Sequence, residues 1–158
     1  DVKVLWDLAA HDFSILDYLF SEPPVSVSAT ARCWNGNGLE DVADVTLFFR
    51  RGLVAHLHVS WLSPAKVRRT LISGSKKVLL FEELGSRQRI QIYEGKRTAS
   101  VFNMNGQEPL RGVSREFLSA ITTRPKSLLL DGRAGVRTVK LLAAAQRSSQ
   151  MRGRKIRL

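Results

Sequence analysis

The sequence is poor in several features on which common protein functions depend. It contains one cysteine, Cys33, in 158 residues, so an internal disulfide framework and a thiolate zinc site are both excluded. No apolar run approaches the ~18 residues of a membrane-spanning helix. Low cysteine use is typical of a reducing compartment, and we predict a cytoplasmic protein without a membrane segment.

Motifs for nucleotide and nucleic-acid binding are also missing. Gly36 and Gly38 lack the third glycine and the following helix of a dinucleotide-binding loop, and no phosphate loop is present. No zinc finger or RNA-recognition aromatic motif occurs either. These absences matter because the chain is basic, with a net charge of +11.

The positive charge is concentrated in the second part of the chain. Residues 1–66 carry 8 acidic and 5 basic side chains, whereas residues 67–158 carry 6 acidic and 20 basic ones. Such a balance attracts polyanions. Because the basic residues are scattered over several predicted elements, we predict a solvated surface or a pocket for a phosphorylated sugar or dinucleotide, and no specific nucleic-acid partner.

Hydrophobic periodicity defines helices and strands along the chain. Helical spacing predicts a first helix over Val4–Phe20 and later helices over Val113–Thr123 and about Arg133–Gln150. Asp131 is the expected N-cap of the last helix, and Gly153 is placed to end it. Asn103–Gly112 carries turn residues without a period, which predicts a loop. Alternating apolar residues predict the strands Val25–Cys33, Asp44–Arg50, Val54–Leu62, Lys66–Ser73, Val78–Phe81, Arg89–Tyr93, Thr98–Phe102 and a short one over Lys155–Leu158.

This order of elements favours an α+β fold. No helix-length segment separates the strands, so the sheet should be mostly antiparallel. We predict a single domain over residues 1–158, with an open sheet of about six to eight strands and helices on one face. The other face is left for another layer, and we predict a homo-oligomer through it.

The first predicted helix carries two side chains suited to proton transfer. Asp7 and His11 are spaced i and i+4, so they share one side of a helix and can touch. A carboxylate beside an imidazole fixes the imidazole tautomer and favours its protonated form, which suits a group that passes a proton near neutral pH. The same pair is common on solvated helix surfaces, so spacing alone leaves both interpretations open.

Two histidines in a predicted strand suggest a metal site that the rest of the sequence does not support. His56 and His58 lie on the same side of the strand, which is a metal-ligand spacing. A cupin site needs a nearby carboxylate and a later histidine, and no histidine follows His58. We therefore predict no metal, and we interpret both histidines as part of a sheet face.

Cys33, in an alternating strand, is predicted to be a buried thiol.

Several stretches together resemble one oxidoreductase family. The segment Trp6–Leu16 reads Trp-Asp-Leu-Ala-Ala-His-Asp-Phe-Ser-Ile-Leu. It is similar to the opening of the C-terminal domain in the glucose–fructose oxidoreductase, inositol dehydrogenase and rhizopine-catabolism (Gfo/Idh/MocA) family, where an Asp-x-x-x-His pair lies beside the nicotinamide. His58–Arg68 resembles the Ser/Asn-Trp-Leu-Ser-Pro-x-Lys-x-Arg stretch of a sugar-dehydrogenase branch. Further similarities lie in Leu71–Lys77, Arg115–Phe117 and Asp131–Gly135.

The resemblance implies a function and a set of site residues. The chain would be the substrate-binding and dimerising half of an NAD(P)-dependent oxidoreductase that acts on a sugar, polyol or nucleotide-sugar hydroxyl. His11 would be the acid/base, and Asp7 would orient His11 and bind a substrate hydroxyl. Lys66 and Arg68 are weaker candidates for contacts with substrate phosphates or carboxylates.

The resemblance also implies what these residues leave out. Family members carry a Rossmann domain with Gly-x-Gly-x-x-Gly and a Glu-Lys-Pro segment, and neither motif occurs in this sequence. NAD or NADP is therefore expected to bind mainly outside these residues, which by themselves should be inactive. The alternative is a non-catalytic binding or oligomerisation module derived from the same fold.

Overall fold

The structure, a computed structural model, describes residues 2–20, 22–36, 38–84, 87–105, 109–123 and 131–158. The chain divides into two compact units, the first from Asp1–Leu62 with Ser127–Leu158 and the second from Ser63–Lys126. Each unit contains one four-stranded sheet, and the strand pairs within both sheets are antiparallel. The predicted α+β, antiparallel fold is confirmed.

The elements follow the predicted order closely. They are α1 (Val4–Asp7), α2 (Ala9–Leu19), β1 (Ser26–Arg32), β2 (Val42–Phe48), β3 (Val54–Ser60), β4 (Arg68–Ser73), β5 (Val78–Leu84), β6 (Arg87–Glu94), β7 (Arg97–Asn105), α3 (Pro109–Thr123), α4 (Gly132–Gln150) and β8 (Ile156–Arg157). The predicted first helix is present but divided at Leu8.

The predicted loop over Asn103–Gly112 is wrong at both of its ends. β7 continues to Asn105 and α3 begins at Pro109, while residues 106–108 lie outside the described part of the chain. Proline suits a first helical position, because the N–H that it lacks has no partner within a helix there. The turn residues therefore marked the ends of two elements rather than one long loop.

The strands form two sheets rather than the single sheet that we predicted. The strand orders are β3-β2-β1-β8 and β4-β5-β6-β7, so β3 and β4 each lie at the edge of their own sheet. Residues 61–67 between them adopt no strand and include Pro64. Alternation identifies a strand but does not specify its partner, which is why the pattern did not reveal the interruption.

The first unit packs α1, α2 and α4 against one face of its sheet, as predicted. In β1 and β2 the apolar residues Val27, Ala29, Val45 and Leu47 are buried, whereas the flanking Thr30 and Asp44 are exposed. The helices contribute Val4, Leu5, Ala9, Phe13, Leu141, Leu142 and Ala145 to the same core. No helix among the described residues is long and apolar enough to cross a membrane.

Residues at the element ends test the predicted caps. The Asp131 side chain accepts a hydrogen bond from the Ala134 backbone N–H at 2.7 Å, which confirms it as the cap of α4. Gly153 follows α4 with a φ of 85°, as expected for a residue that ends a helix. Cys33 is exposed, so its prediction as a buried thiol is wrong, because β1 ends at Arg32 and the alternation no longer applies.

Ser148 joins α4 to β1 through buried hydrogen bonds. Its hydroxyl accepts the Ala29 backbone N–H at 2.8 Å and donates to the Arg154 carbonyl at 2.7 Å. β8 pairs only with Ser26 and Val27 of β1. The Ser148 hydroxyl therefore binds the N–H of a β1 residue that lies past the end of β8. The side chain is fully buried. Its hydroxyl therefore satisfies backbone groups that water does not reach.

We predict that Ser148→Ala destabilises the first unit. The substitution leaves the buried Ala29 N–H without its partner, which costs about 1–3 kcal/mol. For a chain of this size each kcal/mol lowers the melting temperature by roughly 2–4 °C. The measurement is thermal unfolding followed by circular dichroism, with Ser149→Ala as the matched control. An equal melting temperature for Ser148→Ala and wild type would contradict the prediction.

Candidate functional site

Asp7 and His11 lie on an exposed side of a helix whose other side is buried. α1 ends at Asp7 and α2 begins at Ala9, with Leu8 between them in a right-handed helical conformation. The backbone N–H of Leu8 donates to Val4 O at 2.8 Å and that of His11 donates to Leu8 O at 3.2 Å. The path of the helix is therefore kept across the break, and both side chains are exposed.

Asp7 is bound to a tryptophan rather than to the neighbouring histidine. The Trp61 indole Nε1–H donates to Asp7 Oδ2 at 3.0 Å. Within the described residues no hydrogen bond joins Asp7 to His11. The two residues are thus placed as the sequence predicted, but the contact that their spacing allows is not made.

The sequence analysis missed the role of Trp61. The residue occurs in the stretch that carried the family resemblance, but 54 positions separate it from Asp7. Helical and strand periodicity relate residues that are close in sequence, so neither could predict a contact between this helix and the distant end of a strand. The Ser-Trp motif was the only indication that Trp61 matters. It pointed to the family resemblance and said nothing about which residue Trp61 contacts.

The peptide groups of Glu40 and Asp41 anchor both partners of the Asp7–Trp61 hydrogen bond. The Val4 backbone N–H at the start of α1 donates to Glu40 O at 3.0 Å, and Lys3 Nζ binds the Glu40 carboxylate at 2.9 Å. The Trp61 backbone N–H donates to Asp41 O at 2.9 Å. Two adjacent residues before β2 therefore set the positions of the helix start and of the strand end.

The side chain of Asp41 in turn organises the β1–β2 hairpin. Its carboxylate accepts the backbone N–H groups of Trp34 at 3.0 Å and Asn35 at 2.9 Å, and its own N–H donates to Arg32 O at 2.9 Å. Asp41 is only 1% exposed. A buried carboxylate that is satisfied by two backbone donors is structural, and it is not a free acid for catalysis.

The hairpin also accounts for the Gly-x-Gly pattern. Gly36 and Gly38 have φ values of 72° and 81°, in the left-handed region that favours glycine. They lie between two antiparallel strands and no helix follows them. The described residues of this hairpin therefore do not form a dinucleotide-binding loop.

His56 and His58 lie on the exposed face of the first sheet. His56 Nδ1 is 3.1 Å from Thr46 Oγ1, and His58 Nδ1 is 2.8 Å from Asp44 Oδ1. Each histidine thus pairs with the residue opposite it on β2. In the part of the chain that the structure describes, no three His, Cys, Asp or Glu side chains are placed to hold a metal ion.

A small apolar cavity of about 160 Å³ occurs in the first unit. Its walls include Phe13 and Leu47, and the ion pair between Asp17 and Arg137 borders it with two 2.8 Å hydrogen bonds. Those bonds raise the pKa of the Arg137 guanidinium. Neither of the two predicted catalytic residues lines this cavity, so it is separate from the candidate site.

The two basic candidates, Lys66 and Arg68, belong to the second unit. Lys66 is exposed in the segment before β4. Arg68 lies on β4, and its Nη1 is 3.3 Å from Glu83 Oε2 on β5. Part of the positive charge of Arg68 is therefore used within the sheet, whereas no hydrogen bond or ion pair engages the Lys66 side chain among the described residues.

A buried carboxylate in the same sheet neutralises two further arginines. Glu82 on β5 accepts hydrogen bonds from Arg89 on β6 at 2.8 Å and from Arg69 on β4, where Nε lies 3.0 Å away. These bonds, with that from Arg89 first, lower the pKa of Glu82 below its usual 4.5. The predicted basic surface is thus partly a set of cross-strand ion pairs.

Solved structures of several enzymes share the fold of this chain. UDP-N-acetylglucosamine 3-dehydrogenase GnnA from Acidithiobacillus ferrooxidans matches with a TM-score of 0.85 and 23% identity over 96% of this chain and 48% of that chain. Aldose-aldose oxidoreductase from Caulobacter crescentus matches with a TM-score of 0.82 and 18% identity, over 99% of this chain and 48% of that chain.

A third structure is a mutant of KijD10, a 3-ketoreductase from Actinomadura kijaniata, in complex with TDP-benzene and NADP. It matches with a TM-score of 0.79 and 15% identity, over 93% of this chain and 48% of that chain. The chain spans about half the length of each of these proteins. The fold of this chain therefore matches that of about half of each of these proteins.

The particular family follows from the sequence itself. The model of the GFO/IDH/MocA C-terminal domain matches residues 2–80, which is half of the chain. The chain belongs to the Gfo/Idh/MocA family, and the resemblance stated above is confirmed. No match was found among the curated proteins.

We predict that Glu82→Gln removes a pH-dependent part of the stability of the second unit. Because the folded state lowers the pKa of Glu82, its ionised form stabilises the fold above pH 4.5, and this contribution is lost as the pH falls through the lowered value. The difference in urea midpoint between wild type and variant should therefore be large at about pH 7 and should shrink as the pH falls below 4.5 and through the lowered pKa.

Glu94→Gln is the matched control for that experiment. Glu94 forms an exposed ion pair with Lys77 at 2.6 Å, and exposed pairs contribute little. A difference in midpoint that stays constant with pH for Glu82→Gln would show that its carboxylate does not act through ionisation.

Proposed function

We propose that this chain is the substrate-binding half of an NAD(P)-dependent oxidoreductase acting on a sugar, polyol or nucleotide-sugar hydroxyl. The observation that carries the proposal is the exposed Asp7–His11 helix side, anchored by a buried core, in a chain of the Gfo/Idh/MocA family. Two of the similar structures support the substrate class, because one is a UDP-N-acetylglucosamine 3-dehydrogenase and another is a 3-ketoreductase in complex with TDP-benzene.

His11 is proposed to move the proton of the substrate hydroxyl. Oxidation of an alcohol removes a hydride from carbon and a proton from oxygen, and the nicotinamide supplies the hydride acceptor when it is bound. The imidazole of His11 is exposed near the start of α2, so a substrate can reach it. A histidine exchanges protons readily near neutral pH.

Asp7 is proposed to bind the hydroxyl group and to orient it toward His11. Its Oδ2 is engaged by Trp61, while Oδ1 accepts no hydrogen bond among the described residues. An ionised carboxylate is acceptor-only, so Oδ1 suits the O–H of a sugar. Holding the hydroxyl and the base together is the contribution that positioning makes to catalysis.

The dinucleotide itself is proposed to bind mainly through another part of the protein. The residues described here do not fit its pyrophosphate, because Gly36 and Gly38 form a hairpin and no helix N-terminus follows them. A Rossmann domain preceding this chain would supply that site. We further propose a cytoplasmic location, which the use of a single cysteine supports.

Lys66 and Arg68 are proposed to contact acidic groups of the substrate. A nucleotide sugar carries a diphosphate, and lysine and arginine are the residues that bind phosphate oxygens. Lys66 is the stronger candidate of the two, because Arg68 already pairs with Glu83.

We also propose that the protein is a homo-oligomer through one face of the second sheet. Two rows of apolar residues cross this face in register, Phe81–Ile90–Phe102 and Ile72–Leu79–Ile92. None of the six is buried, and Phe102 is 52% exposed. A contiguous apolar patch on a sheet is typical of an interface.

The test of the catalytic assignment is His11→Ala in the intact gene product that carries this chain. Loss of the acid/base should lower kcat on the order of 10²–10⁴-fold, while the KM for NAD(P) stays nearly unchanged. Steady-state kinetics with sugar and nucleotide-sugar substrates provide the measurement. His56→Ala is the matched control. His56 contacts Thr46, and both lie on the sheet face that is not covered by the helix carrying His11.

Two outcomes would overturn this assignment in different ways. An unchanged kcat in His11→Ala would remove His11 from the active site. An intact gene product that neither binds NAD(P) nor turns over any sugar would favour the alternative, a non-catalytic binding or oligomerisation module.

The interface proposal predicts that Phe102→Asp dissociates the oligomer. A charge in the apolar row should shift the protein to monomer in sedimentation velocity at micromolar concentration, with circular dichroism unchanged. Val101→Asp is the control, because Val101 is similarly exposed, at 49%, on the opposite face of β7. A monomeric wild-type protein, or equal dissociation by both variants, would contradict the proposal.

A further inference from the structure

We propose that Trp61 is the positioning residue for Asp7: its indole N–H holds the carboxylate in the orientation in which that carboxylate meets the substrate. The inference rests on the proposed function, because it assigns a role within the same site. It goes further in naming a third residue, and in replacing the expected Asp–His contact by a Trp–Asp contact as the interaction that fixes Asp7.

The first argument is the stiffness of the donor. An indole is planar, has two side-chain torsions and carries a single N–H donor. Trp61 is 41% exposed, so more than half of its surface is packed, and Nε1 lies 3.0 Å from Asp7 Oδ2. A carboxylate on an exposed helix end would otherwise occupy several rotamers.

The second argument is that both partners are held by groups other than each other. The start of α1 is fixed through Val4 to Glu40 O, and the Trp61 backbone is fixed to Asp41 O. Glu40 and Asp41 are neighbours, so the distance between Asp7 and Trp61 is set by one short piece of backbone. Loss of the indole N–H should therefore free the carboxylate without moving the strand or the helix.

The third argument concerns the remaining carboxylate oxygen. With Oδ2 held by Trp61, the orientation of the whole Asp7 carboxylate is set, and Oδ1 remains available to accept a hydrogen bond from a substrate hydroxyl. An acceptor that is already oriented needs no reorganisation when the substrate arrives. A small loss of alignment at such a group can lower the rate about a hundredfold.

The experiment is a double-mutant cycle on kcat in the intact gene product. Trp61→Phe keeps an aromatic ring and removes the donor, and Asp7→Ala removes the acceptor. We expect Trp61→Phe to lower kcat about ten- to a hundredfold with little change in the KM for NAD(P). In the Asp7→Ala background the same substitution should change kcat less than about twofold, because the group through which it acts is gone.

Trp34→Phe is the matched control. Trp34 is exposed on the β1–β2 hairpin, and only its backbone N–H, which the substitution keeps, is bound by Asp41. The kcat of the Trp34→Phe variant should equal that of wild type. The melting temperature of every variant is measured alongside, so that a loss of stability in Trp61→Phe is read separately from a loss of rate.

The possible results separate this inference from the proposed function. If Asp7→Ala lowers kcat but Trp61→Phe does not, the positioning role is overturned and the catalytic assignment stands. If both lower kcat and their effects multiply in the double variant, Trp61 acts independently of Asp7 and the inference fails. If Asp7→Ala leaves kcat unchanged, the proposed site and the inference fall together.

Discussion

The buried carboxylate of Asp41 is the constraint on which the candidate site depends. It satisfies two backbone N–H groups of the hairpin, and the peptide groups on either side of it hold the start of α1 and the end of β3. A buried acid is costly unless its oxygens are paired. The pairing that stabilises Asp41 in the fold therefore also fixes the backbone around Asp7 and Trp61.

This arrangement separates the rigid part of the candidate site from its exposed part. The helix that carries Asp7 and His11 is anchored by buried Val4, Leu5 and Phe13, whereas both polar side chains face solvent. The proposed roles of Asp7 and His11 need such a division, because a packed side supplies positioning and an open side admits a substrate. The hydrogen bond from Trp61 extends the rigid part to the carboxylate itself.

Part of the positive charge in the second unit stabilises its sheet through ion pairs. Arg68, Arg69 and Arg89 each face a glutamate on β5, so three of the basic side chains stabilise the sheet. Opposite charges that face each other on neighbouring strands are stabilising, and Glu82 on β5 lies between Arg69 on β4 and Arg89 on β6. Part of the positive charge is thus used within the sheet, whereas Lys66 is exposed and forms no ion pair among the described residues.

The sequence by itself determined most elements, the antiparallel α+β class, the cap at Asp131 and the exposed placement of Asp7 and His11. These features depend on periods of 3.6 and 2 residues and on turn chemistry, which are local properties of the chain. The tertiary structure alone decided that β3 and β4 lie in different sheets and that Cys33 is exposed. It also decided that Asp7 binds Trp61 rather than His11. Such features depend on which distant segments meet, and the pairing of Asp7 with a residue 54 positions away is set by the hydrogen bonds of Glu40 and Asp41.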